Sequence, residues 1–147
     1  MTLLTRNPID VSRLLGEVGA AGLGGTALFV GTVRRSVTDG PVASIDYTAY
    51  EAMAEAELHR ILADALVRWP EAKVAAQHRL GPVATGETSV AVAAACPHRA
   101  EAFEMCRYII EEIKRRLPIW KREIFEDGSV AWRGEAGTHV SPAEGTS

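Results

Sequence analysis

The sequence predicts a chain of mixed α and β structure, in which a mixed or antiparallel sheet packs against two main helices. Two stretches, roughly 51–69 and 98–117, carry apolar residues at helical spacing. Around them lie runs of strand-forming residues bounded by glycine, proline and Asp-Gly pairs. With 147 residues, 47% of them hydrophobic and 24% charged, the composition is that of one soluble globular domain. That domain is expected over residues 1–133, followed by a polar, disordered tail over 134–147.

Taken in order, Ile9, Leu14, Leu15 and Val18 suggest a short helix, ended by the glycine-rich segment 19–25. Thr26 to Arg34 reads as a strand, with Gly31 at a bulge or a close backbone approach. Asp39-Gly40 signals a turn, and a strand pattern resumes over Val42 to Tyr50. The first long helix runs from Glu51 to Trp69 on Met53, Ala56, Leu58, Ile61, Leu62, Ala65 and Leu66, and Pro70 closes it. Strands follow at Lys73–Arg79 and Thr88–Cys96, separated by the turn-rich segment 81–86. The second helix spans His98 to Leu117, its expected core face made by Phe103, Cys106, Ile110, Ile113 and Leu117. A hairpin around Asp127-Gly128 joins Ile119–Ile124 to Ser129–Trp132.

Several function classes are disfavoured at this level. A formal net charge of −3 argues against a nucleic-acid binder acting through global charge. No apolar run reaches the roughly 18 to 20 residues of a membrane span, and the N-terminus lacks a signal-peptide pattern, so a cytoplasmic protein is expected. The cysteines, Cys96 and Cys106, form no disulfide framework, and no CxxC or histidine cluster suggests a metal.

Against that acidic background, Lys114, Arg115, Arg116, Lys121 and Arg122 place five cations within nine residues. Pro118 stops the helix between them, because the residue before proline is pushed out of the α region. Lys114 and Lys121 then flank a rigid corner where they could converge on one anion. Snorkelling from the helix border is the plain alternative for Lys114. Two smaller basic groups stand elsewhere. His98 and Arg99 open the second helix, where free backbone N–H groups favour an anion, although both side chains could simply face solvent. Arg34 and Arg35 end a strand, where arginines commonly do no more than solvate.

The ordered set is more specific than any member. It comprises Gly31-Thr32-Val33-Arg34, Tyr50-Glu51-Ala52-Met53-Ala54, His78-Arg79-Leu80-Gly81-Pro82-Val83 with Gly86-Glu87, and Pro97-His98-Arg99-Ala100 with Ala102-Phe103. Lys114 with Pro118-Ile119-Trp120-Lys121-Arg122-Glu123, then Asp127-Gly128 and Trp132, complete it. In these motifs the chain resembles the large, catalytic subunit of molybdopterin synthase, from about Gly25 to Trp132. The match is weak before Gly25 and after Trp132.

The resemblance implies an α+β fold of the α/β-hammerhead type and a central homodimer. Each end of that dimer binds a small ubiquitin-like sulfur-carrier subunit, giving a heterotetramer. The carrier's C-terminal Gly-Gly bears a thiocarboxylate that enters the large subunit's pocket. Two such sulfurs go to cyclic pyranopterin monophosphate, forming the dithiolene of molybdopterin, with no cofactor, ATP or metal in this step. Lys114 and Lys121 match the family's catalytic lysines. The implied substrate-binding set is Thr32, Val33, Arg34, His98, Arg99, Lys114, Lys121, Arg122 and Glu123, some of them contributed across the dimer. Lys114 is expected to face the thiocarboxylate and, when neutral, to attack its acyl carbon. Lys121 is expected to serve as acid/base or electrostatic partner of the pterin. Two rivals remain open: a persulfide sulfurtransferase using Cys96, and a non-catalytic module that binds a ubiquitin-like partner.

Overall fold

The computed structural model describes residues 3–35, 41–134 and 139–140. Its elements run β1 (Leu4–Thr5), α1 (Val11–Val18), β2 (Gly25–Thr32), β3 (Val42–Ala49), α2 (Glu51–Arg68), β4 (Lys73–Arg79) and β5 (Gly81–Ala84). Then follow β6 (Thr88–Cys96), α3 (Arg99–Arg116), β7 (Ile119–Phe125), β8 (Val130–Gly134) and β9 (His139–Val140). The expected α+β class holds, with the strands divided between two sheets. One has the order β1-β4-β6-β2 and the other β5-β3-β7-β8-β9. Among the described residues, only β1 and β4 pair in parallel; the other pairings are antiparallel.

Strand β6 explains how the first sheet is covered. Its run Val90-Ala91-Val92-Ala93-Ala94-Ala95 is buried throughout, as expected of a strand with both faces dry. Leu14 and Val18 of α1 pack on Ala75, Ala91, Ala93 and Ala95 on one face. On the other, α3 lies across β2 and β6, and α2 packs against α3. The short alanine side chains leave room for helices on both sides. Asp10 caps α1, its Oδ1 accepting the Arg13 N–H at 3.1 Å.

Both long helices form where their periodicity places them, and each turns most of its expected stripe inward, with a few positions exchanged. In α3 the buried residues are Ala102, Met105, Cys106, Ile109 and Ile113; Phe103 is 67% exposed and Ile110 half-buried. In α2 they are Ala54, Leu58, Ile61 and Ala65, with Met53 exposed. Leu58 and Ile61 of α2 and Cys106 and Ile113 of α3, all expected in the core, are buried, and Ala54, Ala102, Met105 and Ile109 join them.

Three short strands were missing from the sequence expectation. The segment 81–86, read as turn, contains β5, which among the described residues pairs only with β3. Pro82 is tolerated there because an edge strand has N–H positions with no partner to supply. Gly81, at φ +83°, turns the chain from the first sheet into the second, a backbone conformation that glycine adopts without a Cβ penalty. β1 is two residues long, held by Glu55, whose carboxylate accepts the Leu3 and Leu4 N–H groups at 2.8 and 3.1 Å. His139–Val140, within the segment expected to be a polar tail, forms β9 against Trp132 and Arg133. The Asp39-Gly40 turn and the rest of that tail lie outside the described residues.

Helices α2 and α3 are clamped by Arg116, which reaches Glu57 at 2.7 Å, Asp64 at 3.0 Å and Glu112 at 3.2 Å. Burial alone would raise the Glu57 carboxyl; hydrogen bonds from Arg116 and Arg60 outweigh it and hold the carboxyl low. Glu112 is held low chiefly by its bond from Arg115, with Arg116 adding to it. Carboxyls lowered by folding stabilise the protein above their ordinary pKa and lose that contribution as pH falls through the folded value. Urea midpoints should therefore drop below about pH 4.5, the ordinary value for these groups. Arg116→Met should cost about 2 kcal/mol at neutral pH and flatten that acid dependence.

Candidate active site

The corner between α3 and β7 forms as the proline suggests. Leu117 caps α3 in an extended conformation, its N–H bonded to the Ile113 carbonyl at 3.1 Å. The Ile119 N–H then bonds back to the Leu117 carbonyl at 2.8 Å, and both side chains are buried. Two apolar anchors on either side of Pro118 thus fix the angle between helix and strand. Beyond the corner, strand alternation does the sorting. Lys121 and Glu123 share the inward face of β7 with Ile119. On β3, Tyr47 stands directly opposite Lys121 and Ile45 opposite Glu123.

The third wall comes from β2. Its pairing with β6 slips between Gly31 and Thr32, where Gly31 opposes Val90 and Thr32 opposes Thr88, leaving Ser89 as the extra residue. The bulge expected at Gly31 is present, with the inserted residue on the neighbouring strand. A Cβ on Gly31 would lie 2.7 Å from Val90 Cγ1 and 3.2 Å from the Phe29 ring, so the strand needs glycine there. Past the bulge, the Val33 N–H bonds to the Glu87 carbonyl at 3.1 Å, and the Gly86 N–H bonds to the Val33 carbonyl at 2.7 Å. Arg34 is thereby carried to the cavity mouth. Arg35 is drawn away by Glu126 at 2.7 Å.

These walls enclose a cavity of about 450 Å3 lined by Thr32, Val33, Arg34, Lys114, Lys121 and Glu123. Six of the nine expected site residues therefore meet in one space. Glu123 is 8% exposed, and both lysines are half-buried. Phe29, Ile45, Tyr47 and Ser89 also line the cavity and were not anticipated. The alternation of 45 with 47, opposite 121 and 123, was the available signal for two of them.

Three expected residues lie elsewhere. Arg122 leaves the opposite face of β7, bonded to Asp46 at 3.1 Å and stacked 5.7 Å from the Trp132 ring centroid. Its strand parity forbids it from sharing the cavity with Lys121. His98 and Arg99 line a separate depression with Gly24, Pro97 and Ala100, next to the Gly25 end of β2. Arg99 and Lys114 stand fifteen residues apart on one helix, a rise of about 22 Å. Within a single chain they cannot grip the same small molecule.

Cys96 is fully buried, its Sγ 3.9 Å from Met105 Sδ. Burial and then the Glu101 charge push its thiol above the ordinary range, away from the thiolate a persulfide carrier needs. Cys106 is likewise buried and raised by desolvation. Cys96→Ala should leave turnover within about twofold of the parent, since an inert buried cysteine acts only as a small packing group. Loss of all transfer in that variant would instead implicate its sulfur.

Two half-buried lysines, an arginine at the mouth and a buried glutamate thus line one cavity in an α+β scaffold. Comparison with known proteins gives this a family. The model of the MoaE protein family matches residues 4–116, and the chain belongs to that family. It is 37% identical to the molybdopterin synthase catalytic subunit of Halalkalibacterium halodurans, over 97% of this chain and 90% of that protein. A Drosophila erecta protein of the same name is 40% identical over 88% of this chain, but the chain spans only 36% of its length. Among solved structures, molybdopterin synthase from Staphylococcus aureus superposes with a TM-score of 0.85 at 32% identity, covering 90% of this chain and 96% of that one. Among the described residues, no helix is long and apolar enough to cross a membrane.

Proposed function

We propose that this chain is the catalytic subunit of a molybdopterin synthase. It takes sulfur from the thiocarboxylated C-terminal Gly-Gly of a small ubiquitin-like carrier and transfers it, twice, to cyclic pyranopterin monophosphate, forming a dithiolene. The observation that carries this reading is the convergence of Lys114, Lys121 and Arg34 on one cavity at the α3–β7 corner. The names of its relatives support it.

The chemistry suits those groups. A thiocarboxylate and a cyclic phosphate are both anionic, so the cavity must hold two negative groups close together. Fixed cations permit this and also stabilise the charge that develops as the cyclic ester opens. The carrier's sulfur bonds to a pterin carbon as an oxygen leaves that carbon. The acyl–sulfur bond then breaks, water taking the acyl carbon and releasing the carrier as its carboxylate, directly or after the Lys114 amine has carried the acyl group. Lys121, on the opposite wall, serves the pterin as acid/base or electrostatic partner. Arg34 offers forked donors to the phosphate.

His98 and Arg99 fit this reading if two copies pair about β2. That strand is an edge of its sheet and exposes Leu28, Phe29 and Val30, each by more than a third. Its ends lie about 23 Å apart. A twofold axis through an antiparallel pair of β2 strands brings the Gly25 end of one copy beside the Thr32 end of the other. Each cavity would then receive His98 and Arg99 from the partner subunit, and each dimer would carry two carriers at its outer sites.

The deciding experiment is turnover with purified chain, thiocarboxylated carrier and cyclic pyranopterin monophosphate, with the dithiolene product detected after oxidation. Product formation is expected. Carrier binding without product would favour a non-catalytic module.

A further inference from the structure

We propose that Tyr47 is a positioning residue for Lys121, with His78 holding its ring in place; the proposal rests on the sulfur-transfer reading of this cavity. Tyr47 is 3% exposed and lines the cavity, yet it lies outside the charged set that the chemistry calls for. It is the Cα partner of Lys121 across the β3–β7 ladder. Side chains of such a pair leave the sheet on the same face, with Cβ atoms about 4.5–5.5 Å apart. The four-carbon lysine stem must therefore run beside the phenol ring on its way to the cavity.

The ring is itself fixed from behind. His78 belongs to β4 in the other sheet, and its imidazole meets the Tyr47 ring edge-on, with centroids 5.1 Å apart and planes at 75°. His78 is fully buried. Its backbone N–H bonds to the Leu3 carbonyl at 2.9 Å, and its Nδ1 lies 2.8 Å from the Arg79 carbonyl. A carbonyl oxygen only accepts, so Nδ1 carries the proton and the imidazole cannot flip without breaking that bond. A line of buried, packed groups thus runs from the strand ladder through His78 and Tyr47 to the stem of Lys121.

The consequence concerns freedom rather than charge. An unconfined lysine stem samples many rotamers, most of which do not present its ammonium to a bound pterin. A ring fixed along one side removes part of that freedom before substrate arrives, and reacting groups displaced by about 1 Å can lose as much as a hundredfold in rate. Tyr47 acts in this way through Lys121, without touching the reacting atoms.

The test uses the full chain with thiocarboxylated carrier and cyclic pyranopterin monophosphate. Tyr47→Leu keeps an apolar side chain in the core but withdraws the ring. It should lower kcat about tenfold while the KM for carrier stays within about twofold. Tyr47→Phe restores the ring without the hydroxyl and should recover most of that loss. Carbon-13 relaxation of the Lys121 ε-methylene, in the chain alone, should show greater mobility in Tyr47→Leu than in the parent, with exposed Lys73 unchanged. Equal Lys121 mobility in both proteins overturns the proposal, whether or not the parent turns over. So does a Phe variant as slow as the Leu variant, which would assign the effect to the hydroxyl. A parent without turnover but with the mobility contrast intact refutes the sulfur-transfer reading and leaves the positioning of Lys121 standing.

Discussion

Lys114→Ala and Lys121→Ala should each lower turnover by about 10²- to 10³-fold, the range for removing one preorganised stabilising group. Carrier affinity should change far less, because the proposed carrier meets a surface much larger than one lysine side chain. Both side chains are half-buried at the rim of the core rather than within it, so the variants should remain folded. Their neighbours Ile113, Leu117 and Ile119, fully buried, hold the corner without them. Arginine substitutions sharpen the distinction between the two roles. Lys121→Arg keeps a cation and should recover part of the rate if Lys121 acts electrostatically. Lys114→Arg should recover little if the Lys114 amine attacks the acyl carbon, because a guanidinium stays protonated. Single-turnover rates with thiocarboxylated carrier in excess are the measurement that separates these outcomes from weakened binding. Full activity in both alanine variants would move the chemistry to another part of the molecule.

How far the residues alone could reach differs along the chain. The α3–β7 corner was legible because proline, flanked by apolar residues, constrains the backbone locally whatever packs around it. Gly31 was legible for a similar reason, since an isolated glycine in a strand marks a tight approach. The inward stripe of α3 was legible at Cys106 and Ile113 but not at Met105, because Phe103 satisfies the helical period as well as Met105 does. Only the alanine-rich sheet below decides between them, and that sheet assembles from segments far apart in sequence. Arg122 illustrates a narrower error. Motif adjacency placed it with Lys121 and Glu123, but in a strand neighbours point to opposite faces, and only alternate residues enter one cavity. Tyr47 and Ile45 escaped notice because their role depends on the β3–β7 register, which no local signal fixes.

Splitting the cation set between two ends of β2 leads to a result that a single-chain site could not give. Lys114→Ala and Arg99→Ala homodimers should each be nearly inactive, yet co-expressing the two chains should restore activity. In a mixed dimer, one cavity receives both lesions. The other draws Lys114 from the Arg99→Ala chain and Arg99 from the Lys114→Ala chain, and so is intact. Random pairing makes half the dimers mixed, and activity should return to about one quarter of the parent's per subunit. If Arg99 served the cavity of its own chain, every site would carry a lesion and no recovery would occur. The edge of β2 supplies the complementary control. Leu28→Lys places a charge on the exposed edge strand, a device that opposes strand pairing between copies. The variant should sediment as a monomer and lose turnover although every residue lining its own cavity is unchanged. A fully active monomer would show instead that His98 and Arg99 are dispensable, and that the cavity at the α3–β7 corner is complete within one chain.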